Sequence, residues 1–344
     1  MSTPILGRLF ANNVAVDPGT ASTLIYTQER GVVLNQPSVV CFRKADAHVD
    51  KARVEAVGEL AKALIGRVPE HLEAVRPLRH GVIAHYPAAE QMIRQFVGMS
   101  HARSLFGRRI EFTVCVPSSA TAVERRALRE AAAAAGASRV NLIDQSLAAA
   151  LGAGLPVTEA VGSMVVDIGG GTTEVGVVSL GGTVYQHAIR VGGDQFDAAI
   201  INHVRGLYNV LLGEQTAEHV KKYIGSASGS VPRESMRAVG RGVEDGLPRT
   251  IELSNHDIAE ALAAPLNQVV NAVKRVLEKA PPELVTDIAH RGIVLTGGGA
   301  LLAHLDRRLY AETGLAVRVA DEPLSCAVRG AGEAMGRLAM ETDH

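Results

Sequence analysis

The 344-residue sequence contains no tryptophan, and six phenylalanines with six tyrosines bring the aromatic share to only 3%. Its cores must therefore be aliphatic, which a hydrophobic content of 47% allows. No charge of one sign dominates: 35 Lys and Arg stand against 36 Asp and Glu. Without a basic stripe there is no electrostatic footprint for a polyanion, and direct nucleic-acid binding is not expected. Uncharged apolar runs long enough to span a bilayer are missing, and MSTPILGRLFANN lacks the charged start and long apolar core of a secretory signal. A cytoplasmic protein is expected. Cys41, Cys115 and Cys326 form no Cys-x-x-Cys pair and sit among apolar residues, as buried reduced thiols do. Also absent are Gly-x-x-x-x-Gly-Lys-Ser/Thr, the dinucleotide Gly-x-Gly-x-x-Gly, His-Glu-x-x-His and Gly-x-Ser-x-Gly.

What the chain does contain is one pattern written twice. Val16 to Tyr26 read VDPGTASTLIY, and Val166 to Val177 read VDIGGGTTEVGV. Each is an apolar strand ending on Asp, a glycine turn and a second apolar strand. Short strands are predicted at 14–16, 24–26, 32–34 and 38–42, and again at 164–167, 174–179 and 183–189, with Gly181-Gly182 as a hairpin turn. Between and after these meanders, strands at 111–116, 140–143 and 292–296 alternate with helices at 121–135, 262–277 and 300–310. The alternation predicts an α/β protein, and the repeated meander predicts a duplicated domain. Two such domains facing each other would set two turns on one cleft.

A glycine turn between strands brings backbone N–H groups together with no side chain in the way, a nest for phosphate oxygens. Gly19, Thr20, Ala21 and Ser22 form one such turn, and Gly169, Gly170, Gly171 and Thr172 the other. Asp17 and Asp167 precede them, and their hard oxygens suit a phosphate-bound Mg²⁺, directly or through its waters. Either turn alone reads equally well as a structural loop. A third, Gly297-Gly298-Gly299, follows the strand IVLT and leads through Ala300 into a helix, leaving side-chain-free backbone on which an adenine or ribose could lie. The length of the chain suits two domains with a core each.

With these turns stand VCVPSSATAVERRALREAAAAAGAS, LAAALGAGLPVTEAVGSMVVDIGGGTTEV, RVGGDQFDAAIINHVR, IVLTGGGALL and PLSCAVRGAG. Together they make the sequence resemble, nearly end to end, the actin and Hsp70 ATPase superfamily and, within it, the MreB-like bacterial actins. The resemblance implies an actin-like ATPase fold: two duplicated α/β domains, four subdomains, around a central nucleotide cleft holding ATP and Mg²⁺. It implies subdomain IA at 1–36, 79–148 and 318–344, IB at 37–78, IIA at 149–185 and 250–317, and IIB at 186–249. It also implies that Gly193 is nucleotide-binding and that Glu218 and Lys221 lie on the helix that holds ribose and base, with Gly297 to Ala300 closing the adenine side. From spacing alone, Glu218 and Lys221 are an ordinary solvated helical pair.

Two departures from the family pattern stand out. Pro18 replaces an aliphatic residue and removes one backbone N–H from the first turn, leaving those of Gly19 and Thr20. In NLIDQSLAAALGAGL, Asp144, Gln145 and Ser146 replace Glu-Glu-Pro, so Gln145 takes the catalytic position, with Asp144 as a possible substitute base. A Gln orients water but cannot take its proton, which implies slow hydrolysis. The plainer alternative is that Gln145 merely caps a helix beginning near Ser146.

The function implied is a filament-forming ATPase on the inner face of the cytoplasmic membrane that guides cell-wall synthesis and rod shape. Its partners would be further copies of itself, the membrane surface and wall-elongation proteins of the MreC and RodZ type. Leu105 and Phe106, flanked by Arg103, Arg108 and Arg109, resemble the family's membrane-insertion loop, though a packed apolar pair is the plainer reading. Ile5, Leu6, Leu9 and Phe10 form a second apolar cluster, for packing or for membrane contact. Val123, on an otherwise charged helix face, would lie near the contact between paired filaments. The alternatives are a plasmid- or organelle-positioning actin and a metabolite kinase of the same superfold, although no sugar pocket or catalytic acid is identifiable. A chaperone would need a peptide-binding domain beyond the last helix.

Overall fold

The computed structural model describes residues 12–44, 53–100 and 110–341. The chain divides into two compact units, Met1–Val157 with Ser325–His344, and Thr158–Leu324.

The first unit begins with β1 (Asn12–Pro18), β2 (Ser22–Thr27) and β3 (Gly31–Pro37), an antiparallel meander. A small sheet follows in the order β5-β4-β6, from β4 (Val40–Arg43), β5 (Arg53–Val57) and β6 (Leu72–Val75), with α1 (Glu59–Leu64) between the last two. The hairpin β7 (Leu78–Arg79) and β8 (Val82–Ile83) leads to α2 (Tyr86–Met99). Then come β9 (Ile110–Val116), α3 (Ala122–Ala134), β10 (Arg139–Asp144) and α4 (Gln145–Gly152). The main sheet runs β10-β9-β1-β2-β3, with β9 parallel to both β1 and β10. Strand β9, IEFTVCV, is apolar almost throughout because its neighbours cover both faces, as in parallel sheets. Helix α3 starts on a reciprocal capping box between Thr121 and Glu124 and buries Leu128, Ala131 and Ala132.

The second unit repeats this plan. Strands β11 (Ser163–Ile168), β12 (Thr173–Ser179) and β13 (Gly182–Ile189) form the meander. The turn between β12 and β13 is Leu180-Gly181, one residue earlier than expected, since Ser179 pairs with Gly182 and both turn residues have positive φ. Helix α5 (Gly193–Tyr208), β14 (Val210–Leu211), α6 (Glu214–Ile224), β15 (Ser235–Gly242) and β16 (Pro248–Ser254) follow. Next is α7 (Asn255–Lys279), two turns longer at its start than periodicity suggests. A capping box of Ser254 with Asp257 sets that start, a signal present in the sequence. Then come α8 (Pro282–Arg291), β17 (Ile293–Thr296), a 3₁₀ turn at Gly298–Leu301, α9 (Leu305–Thr313) and β18 (Val317–Val319). The expected helix at 300–310 is thus two pieces. The main sheet runs β13-β12-β11-β17-β18, with β17 parallel to β11 and β18. Strand for strand this is the order of the first unit, so the duplication legible in two turns extends through both sheets.

The chain passes between units at 157/158 and 324/325, whereas the resemblance put these lines at 148/149 and 317/318. The reason lies in α4, which packs on α10 (Cys326–Glu341). A Cβ at Gly330 would strike the Ala148 carbonyl, and one at Gly152 would strike the Cys326 carbonyl. The small residues of LAAALGAG and CAVRGAG therefore let two helix backbones touch within one unit. Both cores are aliphatic, each with at most two fully buried phenylalanines, Phe96 and Phe112 in the first and Phe196 in the second. All three cysteines are buried, and none is in a disulfide.

Candidate functional site

The two glycine turns have the same register. Asp17 faces Leu24 and Pro18 faces Thr23, while Asp167 faces Glu174 and Ile168 faces Thr173. Gly19 to Ser22 and Gly169 to Thr172 therefore close equivalent loops. In each, the segment after the third strand folds back onto the loop. The Ser38 hydroxyl donates to the Gly19 carbonyl at 2.6 Å, and the Gly193 N–H donates to the Gly169 carbonyl at 3.0 Å. The Thr23 hydroxyl lies 2.8 Å from the Ser38 hydroxyl, and the Thr173 hydroxyl donates to the Val191 carbonyl at 2.7 Å.

The nest differs from expectation in one respect. The Gly19 N–H already donates to the Asp17 carbonyl at 3.1 Å, and the Gly169 N–H to the Thr172 carbonyl at 2.9 Å. Each N–H has a single proton, so anion-facing donors must come from the residues after each first glycine. With Pro18 lacking a donor, the first turn relies on Thr20, Ala21 and Ser22. The Thr20 hydroxyl is buried and accepts the Gly81 N–H at 2.8 Å, which fixes the β7–β8 hairpin against the loop.

Asp167 is only 5% exposed and accepts a hydrogen bond from the Thr296 hydroxyl at 2.8 Å, its parallel partner on β17. Asp17 is half-buried, and the Gln145 amide nitrogen stands 3.5 Å from its Oδ1. Asp144 turns the other way and pairs with Arg125 at 3.2 Å. Gln145 is not the cap of a helix beginning near Ser146: it is the first residue of α4, and Asp144 takes the cap position. Among the described residues no three His, Cys, Asp or Glu side chains gather into an all-protein metal cage. Asp17 and Asp167 each stand beside the glycine turn of their own unit, and a lone carboxylate of this kind suits Mg²⁺ bound mainly by phosphate oxygens and water.

Lys221 and Glu218 do not pair with each other. Lys221 reaches Asp197 of α5 at 2.8 Å and the Gly193 carbonyl at 3.0 Å, while Glu218 pairs with Lys222 at 2.6 Å. Burial pushes the Asp197 carboxyl up to about 6, against the opposing pull of Lys221. Since the N–H groups of Gly193 and Asp194 donate to Gly169 and Gly170, Lys221 braces the segment that holds the second turn. Sequence reading missed Asp197, Thr296 and Ser38. The only available signal was for Thr296, which ends a strand just as Asp167 does.

In the third turn, Gly297 has a φ of 78° and a Cβ there would strike the Ile168 carbonyl, while one on Gly299 would strike the Ile168 side chain. Close approach to β11 thus accounts for both glycines. Gly298 is exposed, and the Ala300 side chain is buried. Val123 is 77% exposed on α3, away from that helix's buried stripe, so it is not a core residue. Leu105, Phe106 and the Ile5 to Phe10 cluster lie outside the described residues.

The MreB/Mbl protein family model matches residues 11–342. The cell shape-determining protein MreB of Escherichia coli strain K12 is 51% identical over 335 residues, covering 96% of this chain and 95% of that protein. The cell shape-determining protein Mbl of Bacillus subtilis strain 168 is 40% identical over 324 residues, 94% of this chain and 96% of that protein. Among solved structures, MreB5 of Spiroplasma citri bound to ADP superposes with a TM-score of 0.89 at 32% identity, covering 97% of this chain and 99% of that one. With the duplicated sheets and turns described above, these likenesses lead to one conclusion: the chain belongs to the MreB/Mbl family, the cell-shape-determining bacterial actins.

Proposed function

We propose that this bacterial actin binds ATP with Mg²⁺, hydrolyses it slowly, and assembles into filaments on the inner face of the cytoplasmic membrane to guide cell-wall synthesis and rod shape. The observation that carries the nucleotide reading is the pair of glycine turns in one register, each entered from a strand that carries Asp at the same place. It is supported by the relative MreB5, solved with ADP and with AMPPNP. The turn amides after Gly19 and Gly169 bind phosphate oxygens, and Asp17 and Asp167 hold the metal directly or through water. When bound, Mg²⁺ neutralises charge on the phosphate oxygens. Gly193, Glu218, Lys221 and the segment Gly297 to Ala300 hold ribose and base.

Gln145 orients the attacking water. Its amide both donates and accepts hydrogen bonds but cannot take a proton near neutral pH, which keeps turnover slow. The engagement of Asp144 by Arg125, against the approach of Gln145 to Asp17, favours Gln145 over Asp144. Val123 contributes to the contact between paired filaments, and Leu105 with Phe106 touches the membrane. Each of these two side chains gains only about 1.5–3 kcal/mol on full burial, so firm attachment relies on the repeated contacts of a filament. Among the described residues no helix is long and apolar enough to cross a membrane. Further partners are wall-elongation proteins of the MreC and RodZ type.

Titration with MgATP tests the nucleotide reading. Asp167→Ala is expected to weaken binding several-fold to orders of magnitude, because it removes a carboxylate that holds the phosphate-bound Mg²⁺. Equal binding would overturn the assignment. Sedimentation and electron microscopy with ATP test assembly: Val123→Glu is expected to abolish paired filaments, since a carboxylate buried there has no partner. Intact pairs would show that Val123 lies off the contact. Imaging beside a wall label separates shape guidance from plasmid or organelle positioning.

A further inference from the structure

Asp144 ends β10 and immediately precedes α4, a position from which a carboxylate ordinarily accepts a backbone N–H of the helix it starts. It makes no such cap. Its Oδ1 instead takes the Arg125 guanidinium at 3.2 Å, with the two side chains 33% and 30% exposed respectively. Arg125 is itself well fixed. It lies in the first turn of α3, whose start is locked by the mutual hydrogen bonds of Thr121 and Glu124, and its Nε donates to the Ala120 carbonyl at 3.3 Å. One peptide beyond Asp144 stands Gln145, with its amide nitrogen 3.5 Å from Asp17.

We propose that Arg125 is a positioning residue for ATP hydrolysis. By drawing Asp144 away from the cap position it fixes where α4 begins, and so where the Gln145 amide stands beside Asp17. The inference rests on the reading of Gln145 as the water-orienting residue. It gives Asp144 a structural task, since its Oδ1 is engaged by the Arg125 guanidinium. A partly exposed ion pair adds little to global stability, so its main effect is on local geometry. Small displacements of an orienting group cost rate more than they cost affinity.

The experiment measures single-turnover MgATP hydrolysis, MgATP affinity and thermal unfolding for Arg125→Ala, Arg125→Lys, Asp144→Asn, the double variant Arg125→Ala/Asp144→Asn, and Gln145→Ala. Arg125→Ala, Asp144→Asn and Gln145→Ala are each expected to slow hydrolysis about tenfold or more while affinity stays near wild type. The double variant should be no slower than either of its singles, because both break the same contact. Arg125→Lys should recover part of the rate, which also serves the test if Arg125→Ala fails to fold. The pH–rate profile of Asp144→Asn should keep the wild-type shape. Unchanged hydrolysis in Arg125→Ala, with Gln145→Ala slow, would remove Arg125 from the mechanism and leave the Gln145 reading standing. Loss confined to Asp144→Asn, with its acid limb gone, would make Asp144 the base. Unchanged hydrolysis in Gln145→Ala would overturn the underlying reading and this proposal with it.

Discussion

The loop Gly19 to Ser22 and the loop Gly169 to Thr172 leave their strands at equivalent positions, yet the carbonyl of the first glycine is held by a hydroxyl in one and by a main-chain N–H in the other. Ser38 grips the Gly19 carbonyl and Thr20 takes the Gly81 N–H, whereas Gly169 and Gly170 receive the N–H groups of Gly193 and Asp194 at the start of α5. A hydroxyl anchor can be deleted by removing one oxygen. A main-chain anchor can only be dislodged sterically or by disturbing the helix that supplies it. The two halves of a duplicated fold have thus reached one loop geometry by different means, and they should respond differently to substitution.

The largest expected effect is at Gly192, where a Cβ would lie 2.5 Å from the Gly169 carbonyl oxygen and 2.8 Å from that of Gly170. Neither oxygen can yield without moving the loop. Gly192→Ala should therefore lower MgATP affinity by about a hundredfold or more, as expected when a positioning element shifts by an ångström. Wild-type affinity in a titration would separate the second loop from nucleotide binding. The first glycines sharpen the contrast. Gly19→Ala brings a Cβ to 2.6 Å from the Ser22 carbonyl oxygen, while Gly169→Ala leaves an ordinary 3.5 Å contact with that of Thr172. Thermal unfolding should show Gly19→Ala destabilised by about 1–3 kcal/mol and Gly169→Ala near wild type. The reverse order would contradict the loop geometries.

The next effect concerns the brace behind the second loop. Asp197 has a folded-state pKa of about 6, above its ordinary value of 3.8, chiefly because it is buried. A raised pKa means that the folded chain holds the proton more tightly than the unfolded chain. The resulting stabilisation is complete below the ordinary carboxylate range and is lost as pH rises through about 6. Asp197→Asn removes this dependence, so the variant should gain on wild type by up to roughly 3 kcal/mol as pH rises through that window. Urea unfolding of both proteins across the window measures the gap, and a pH-independent gap would show that Asp197 ionises as an ordinary carboxylate.

The smallest effect is expected at the first loop's anchor. Ser38 is fully buried, and its hydroxyl joins the Gly19 carbonyl and Thr23. Ser38→Ala should cost roughly 1–2 kcal/mol in denaturant unfolding and weaken MgATP less than Gly192→Ala does. A loss of affinity equal to that of Gly192→Ala would mean that the hydroxyl anchor matters as much as the main-chain anchor.

Much of the fold was legible because its signals are local. Pro117, which follows β9, and Gly136, which follows α3, each act within a few residues of the structure they end. The fold class and the repeated Asp-glycine turn were read in the same way. The site was legible less evenly. Asp17, Asp167 and the glycines around them are placed by strand ends, whereas the partners of Asp167, Lys221 and Asp144 lie 129, 24 and 19 positions away, at Thr296, Asp197 and Arg125. Spacing suggested a pair between Glu218 and Lys221. The helix instead turns Lys221 toward α5 and leaves Glu218 to Lys222, since residues four apart also share a face.

By itself the sequence determined the alternation of strands and helices, the aliphatic character of the cores, and the repeated Asp-glycine turn. Tertiary structure decided how each polar group near those turns is engaged. It tied the Gly19 and Gly169 amides within their own loops, turned Asp144 to Arg125 and Gln145 toward Asp17, and kept α4 with α10 by the contact of Gly152 and Gly330 with facing backbone. The physical reason is that one proton or lone pair serves few partners at once. Which partner it meets is settled by loop closure, strand register and helix packing, where periodicity carries no information.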